Sequence, residues 1–179
     1  DSAFIRGSGP TAGAVIEKWL AGDRRAGQPF FVFVNVVDPH APYTGDETCA
    51  LPGGMSLEAA RGVPADPAQI FCTSAEPRSL EILKALHRCD LRRADQKLAR
   101  IHAMLAAADP SLISIVTADH GEHFGEHRLV SHQFSVRNEL LGVPLVVHGL
   151  SGAAPARIEE PVATADIAPS VLAWAGQPE

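Results

Sequence analysis

The sequence predicts an α/β domain with a mostly parallel sheet flanked by helices, and three observations carry that expectation. Three short apolar runs, Pro29–Val37, Leu112–Val116 and Val143–Gly149, have the length and β-branched content of strands buried on both faces. Segments with helical spacing lie around and between them, the longest over Arg78–Ala108. Strands alternating with long helices favour parallel pairing through crossover connections. Three strands are few for such a sheet, and a sheet that small leaves an open edge. The expectation is therefore an incomplete fold whose N-terminal strands are missing, from a natural chain that extends upstream of Asp1.

The elements follow in order. Thr11 is placed to cap a helix running to about Arg25, with Ala14, Val15, Ile16, Trp19 and Leu20 on its apolar face. Gly27 and Pro29 end it. The run PFFVFVNVV then reads as a buried strand closed by DPHAPY, Asp38–Tyr43, whose two prolines fix a rigid loop. Residues 44–77 are rich in Gly, Pro, Ala and Ser without a sustained period. They read as a long irregular connection with one short helix near Leu57–Arg61. In the long helix Leu91, Ala94, Leu98, Ile101 and Leu105 recur at helical spacing, and Asp109-Pro110 stops it. Asn138–Leu141 reads as a short helical segment, and Thr164–Ala175 as a last helix stopped by Gly176. Trp19 and Trp174 fall on apolar helix faces and are expected in the core.

With 179 residues and 46% hydrophobic content the chain suits one ordinary core and one domain, residues 1–179. A net charge of -6 and the absence of a basic run argue against a nucleic-acid partner. An anionic substrate would have to be attracted locally, by a metal, a histidine or an arginine. No run reaches the roughly 18 apolar residues of a membrane span. The opening DSAFIRGSGP lacks the initiator Met and apolar stretch of a signal peptide, so the compartment is not legible. Cys49, Cys72 and Cys89 have neither CxxC spacing nor an even count, so neither a zinc knot nor a disulfide framework is expected.

The chemistry concentrates in TADHGEHFGEH, Thr117–His127, directly after the second apolar run. Asp119 and His120 stand where a buried strand ends, and Gly121 lets the chain turn. Ligands bind at strand ends in open α/β sheets, where side chains and helix N-termini converge. A carboxylate beside an imidazole is a ligand pair for a divalent cation, and mixed O and N donors do not choose among calcium, magnesium, manganese and zinc. Taken alone, Asp119 could merely cap a turn. A second strand end, at Val37, also delivers a histidine, His40, and in a parallel sheet both ends lie on one edge. That is a physical argument for one site. His40, held between Pro39 and Pro42, is suited to hydrogen-bond an anion or to protonate a leaving alkoxide. Glu122, His123, Glu126, His127 and His132 supply further polar groups nearby. His123-Phe-Gly-Glu126-His127 matches an H-x-x-E-H protease pattern, which works only on a helix. Gly121 and Gly125 interrupt the segment, so His123 and His127 are expected on a surface loop instead. His87, His102 and His148 read as structural, and Arg128 and Arg137 as solvated.

With these residues in hand a family resemblance can be stated. TADHGEHFGEHRLVSHQFSVRNELLGVPLVVHG resembles the C-terminal signature segment of sulfatases, in the alkaline phosphatase superfamily. FFVFVNVVDPHAPY resembles that family's histidine-bearing strand and loop, CDLRRADQKLARIHAML its long helix, and PVATADIAPSVLAWAGQP the helix after its last core strand. The resemblance implies an alkaline-phosphatase-like fold and a metal-dependent sulfuric ester hydrolase acting on a sulfate-ester small molecule or glycan. It implies that Asp119 and His120 hold one divalent cation, usually calcium, with manganese or zinc also possible. It implies that His40 contacts the sulfate or its bridging oxygen. His132 falls where many relatives have a lysine that contacts the ester; a histidine departs from that pattern but still supplies a donor. None of the three cysteines lies in the C-x-P-x-R motif whose Cys or Ser becomes formylglycine. The resemblance places that nucleophile, and the paired aspartates that complete the metal site, upstream of Asp1. The 179-residue piece alone is then expected to be inactive. Phosphonate or phosphodiester hydrolysis and phosphoethanolamine-type transfer remain open within the superfamily, as does a non-catalytic binding module.

Overall fold

The computed structural model describes residues 10–25, 27–63, 76–133 and 135–177. Within them the chain forms α1 (Pro10–Lys18), α2 (Leu57–Arg61), α3 (Pro77–Ala108), β1 (Ser114–Thr117), β2 (His123–Phe124), β3 (Val130–Ser131), α4 (Asn138–Leu141), β4 (Leu145–His148) and α5 (Ile167–Trp174). The segment expected as one helix from Thr11 is α1 followed by a wider π-type turn over Trp19–Asp23. The short helix expected inside the irregular connection is α2. Ser56 caps it, its hydroxyl accepting from the Ala59 amide at 3.2 Å. The rest of that connection, residues 64–75 with Cys72, lies outside the described residues.

Helix α3 is the spine. Its 32 residues contain no internal glycine or proline, and Pro77 occupies the first position, where a missing N–H costs nothing. At the far end Asp109 leaves the helical region, as a residue before proline must, and the Arg24 guanidinium donates to the orphaned Ala108 carbonyl at 2.7 Å. The two halves of α3 serve different apolar clusters. Ile82, Leu83 and Leu86 pack with Tyr43 and Ala60, while Ile101 and Leu105 pack with Ala12 and Ile16 of α1. His87, expected to be structural, contributes its ring to the first cluster, 5.3 Å from Tyr43 and 4.9 Å from Phe124. Burial there holds its pKa below the usual histidine value. His102 accepts or donates at Ser114 Oγ (2.9 Å) and its ring meets that of His148 at 5.1 Å.

Four expectations need correction. First, the described residues do not pair into a parallel sheet. β1 pairs with β4 antiparallel, with Thr117 opposite Leu145, and β2 pairs with β3 antiparallel. The reason lies in the connection: the chain leaves β1 and re-enters β4 at the same end of the ladder, and such a return needs no crossover. Second, Phe30–Val37 joins neither ladder. Its burial alternates: Phe30, Val32 and Val34 pack on the α1–α3 cluster, while Phe31 and Phe33 on the other face are 72% and 63% exposed. Third, Cys49 and Cys89 form a disulfide across 40 residues of sequence. The pairing is tertiary, made when the 44–49 loop folds onto α3, so spacing along the chain gives no sign of it. Fourth, Trp174 is 40% exposed, whereas Trp19 packs in the second cluster as expected.

Candidate functional site

Because β1 and β4 are antiparallel partners, the excursion between them, residues 118–144, begins and ends at one end of the ladder. This is the segment that carries Asp119, His120, Glu122, His123 and His132. Gly121 makes the excursion compact by close approach. Its amide donates to the Leu140 carbonyl at 2.8 Å, and a Cβ on it would lie 2.0 Å from the Glu139 carbonyl oxygen. Its backbone is not left-handed, so a turn requirement is not the reason for glycine here. Gly121→Ala is therefore expected to push α4 away from the strand end and lower the melting temperature by about 5 °C or more. A thermal melt showing no shift would mean that the α4 carbonyl yields freely.

Three histidines from two separated segments meet. The rings of His120 and His132 stack with centroids 4.1 Å apart, and His40 stands edge-on to His132 at 5.1 Å. Each ring has its Nδ1 against an acceptor of the protein. His40 Nδ1 lies 2.6 Å from the Ala41 carbonyl, His120 Nδ1 2.8 Å from the Gly121 carbonyl, and His132 Nδ1 3.3 Å from both oxygens of Glu122. Carbonyl oxygens only accept, so His40 and His120 carry a proton on Nδ1, and Nε2 is the nitrogen left for a ligand. Asp119 is almost fully solvated, its side chain 91% exposed, and its Oδ2 lies 3.8 Å from His120 Nε2.

The loop that bears His40 is clamped at both ends to α3. Asp38, only 8% exposed in its side chain, pairs with Lys97 and with Arg93, the latter at 3.7 Å. At the other end the fully buried Asp90 accepts from the amides of Thr44 (2.8 Å) and Gly45 (2.9 Å) and from Arg93 (3.0 Å). Arg93 and Arg61 in turn donate to the Gly45 and Thr44 carbonyls, at 3.2 Å and 2.5 Å. Between the clamps the Tyr43 hydroxyl crosses to the other segment and donates to Glu122 at 3.1 Å. Burial first, and the Glu122 charge second, push the Tyr43 pKa far up, so its hydroxyl stays a donor.

Asp38, Asp90 and Arg93 are the residues that sequence reasoning passed over, and Glu122 was noted there only as one of a polar cluster. One unused signal could have found Asp90: it sits four residues from both Leu86 and Ala94, an acid on an apolar stripe. His123, expected on a surface loop, is fully buried in β2, with Nε2 3.1 Å from Ser135 Oγ. His127 is exposed and pairs with Glu139 at 3.2 Å. The H-x-x-E-H run lies across a strand and a single 3₁₀ turn, so its histidines do not share a helix face. Arg128 and Arg137 are solvated.

The profile of the sulfatase family matches residues 11–177. The chain belongs to the sulfatase family. Membership brings an alkaline-phosphatase-like α/β fold and points to hydrolase chemistry on sulfate esters. No curated protein and no solved structure matches the chain. Among the described residues, no helix is long and apolar enough to cross a membrane.

Sulfatases are generally metal-dependent, and Asp119 and His120 fit a divalent ion in donor type. They offer one carboxylate oxygen and one imidazole nitrogen 3.8 Å apart, with the other imidazole nitrogen fixed by a carbonyl, as metal-bound histidines usually are. They supply part of a coordination shell. Among the described residues the one group of three close donors is Asp46, Cys49 and Cys89, whose sulfurs are joined to each other and cannot ligate.

Proposed function

We propose that this chain is part of the catalytic domain of a metal-dependent sulfuric ester hydrolase. Asp119 and His120 hold one divalent cation, calcium before manganese or zinc, and His40 and His132 contact the sulfate group. The observation that carries the reading is the meeting of His40, from the loop after the Phe30–Val37 run, with His120 and His132, from the excursion after β1. His40 and His132 are far apart in the chain, and the fold brings their imidazoles together. With Nδ1 already engaged, each ring leaves Nε2 for a ligand: a protonated Nε2 can donate to an anion or to a departing oxygen, and an unprotonated one can ligate a cation.

The bound cation would supply Lewis-acid stabilisation of the charge that develops on the ester oxygens. The rest falls to side chains. His40, on a loop clamped at both ends, is placed to donate a proton to the oxygen of the departing alcohol as the sulfur–oxygen bond breaks. His132 is placed to hydrogen-bond a non-bridging sulfate oxygen, the task that a lysine performs in relatives with lysine at this position. The nucleophile is expected to be formylglycine, supplied by residues outside this sequence, because none of its cysteines lies in the C-x-P-x-R motif.

The test uses the natural protein that contains this segment, with an aryl sulfate and an aryl phosphonate as parallel substrates. Asp119→Ala and His40→Ala are each expected to lower aryl sulfate turnover by about 100-fold or more. A chelator should abolish activity and added calcium restore it. Undiminished turnover in either variant would refute the assignment, and turnover of the phosphonate alone would move the function to phosphoryl chemistry.

A further inference from the structure

We propose that Glu122 is a positioning residue that sets the tautomer and the orientation of His132, with Tyr43 holding Glu122 in place. The inference rests on the sulfatase reading for what His132 does to substrate, but not for the hydrogen-bond relay itself. Glu122 is 8% exposed in its side chain, and a buried carboxylate is costly unless its oxygens are satisfied. Both oxygens lie 3.3 Å from His132 Nδ1, and Oε2 also accepts from the Tyr43 hydroxyl at 3.1 Å. Tyr43 is anchored in turn: it is 7% exposed and lies among Ile82, Leu83 and Leu86. The relay therefore runs from the apolar cluster on α3, through Tyr43 and Glu122, to His132.

Three consequences follow from the chemistry. A carboxylate oxygen accepts, so Glu122 holds a proton on His132 Nδ1 and leaves Nε2 for a ligand. Free imidazole in water favours the proton on the other nitrogen, so Glu122 reverses a default. The carboxylate also fixes the ring plane, and that plane is the surface on which the His120 ring stacks, with 24° between them. The third consequence links the two segments. Tyr43 stands three residues after His40, so the same relay that orients His132 ties the His40 loop to the excursion after β1.

The test reads the histidine nitrogens directly in the natural protein that contains this segment, by long-range ¹H–¹⁵N correlation at neutral pH. In the unaltered protein His132 is expected to show a protonated Nδ1. Glu122→Gln keeps an acceptor oxygen and should retain that pattern. Glu122→Leu removes it and should shift His132 to the Nε2–H form, with the His102 pattern unchanged as an internal control. An unprotonated Nδ1 on His132 in the unaltered protein overturns the proposal without any variant having to fold. So does a folded Glu122→Leu protein that keeps Nδ1–H. A tautomer that switches as expected, in a protein whose sulfate ester turnover is untouched by Glu122→Leu, supports the relay and removes His132 from the proposed reaction. The two readings therefore fail separately.

Discussion

Replacing Asp90 with alanine is expected to cost about 3–5 kcal/mol of stability, the range for removing one partner of a buried ion pair. The carboxylate has no exposed surface and accepts from the amides of Thr44 and Gly45 and from the Arg93 guanidinium. Alanine would leave the Gly45 amide buried without an acceptor and Arg93 without one of its two carboxylate partners. Water cannot readily enter to compensate, because Gly45 is packed so tightly that a Cβ would lie 2.9 Å from both Cys49 Sγ and Leu86 Cδ2. Asp90→Asn keeps one acceptor oxygen but loses the charge, so an intermediate loss is expected. Urea denaturation checks both variants: the midpoint should fall with the slope unchanged. A loss below about 1 kcal/mol for Asp90→Ala would show that Arg61 and Arg93 suffice to hold the loop.

The Cys49–Cys89 disulfide gives the second large effect. It closes a loop across 40 residues, for which the chain-entropy treatment yields about 4 kcal/mol of stabilisation. The double variant Cys49→Ala, Cys89→Ala should unfold at markedly lower denaturant. Thiol titration of the unfolded, unreduced chain checks the pairing itself. The sequence has three cysteines and the disulfide uses two, so one thiol, Cys72, should react. Three reactive thiols would mean that the bond is not formed. The effect should also reach the site, because Cys89 is the chain neighbour of Asp90 and Cys49 lies in the loop that Asp90 holds.

Much of the local structure was legible because it depends on short-range chemistry. Helix α3 follows from a sustained helical period stopped by Asp109-Pro110, and α2 falls where a short helix was expected, near Leu57–Arg61. The site was half legible. His40, Asp119, His120 and His132 stand out because ionisable residues follow apolar runs. Glu122 was visible only as one acid in a charged cluster, and Asp38, Asp90 and Arg93 not at all as site residues. Asp38 and Asp90 hold partners 45 to 59 residues away, and Glu122 meets Tyr43 across 79.

The sequence by itself determined which segments are helical, where the chemistry-bearing residues fall, and which family the chain resembles. Periodicity, capping residues and prolines act over a few residues, so a linear reading captures them. Only the tertiary structure decided that β1 and β4 run antiparallel, that Phe31 and Phe33 face outward, and that Cys49 finds Cys89. It alone placed the His40 ring against His132 and put Glu122 between His132 and Tyr43. Those outcomes depend on how loops of 20 or more residues fold back onto α3. Closing such loops costs little more as they lengthen, so spacing along the chain leaves the partner open. The choice is made by burial and by the need of each buried polar group for a partner.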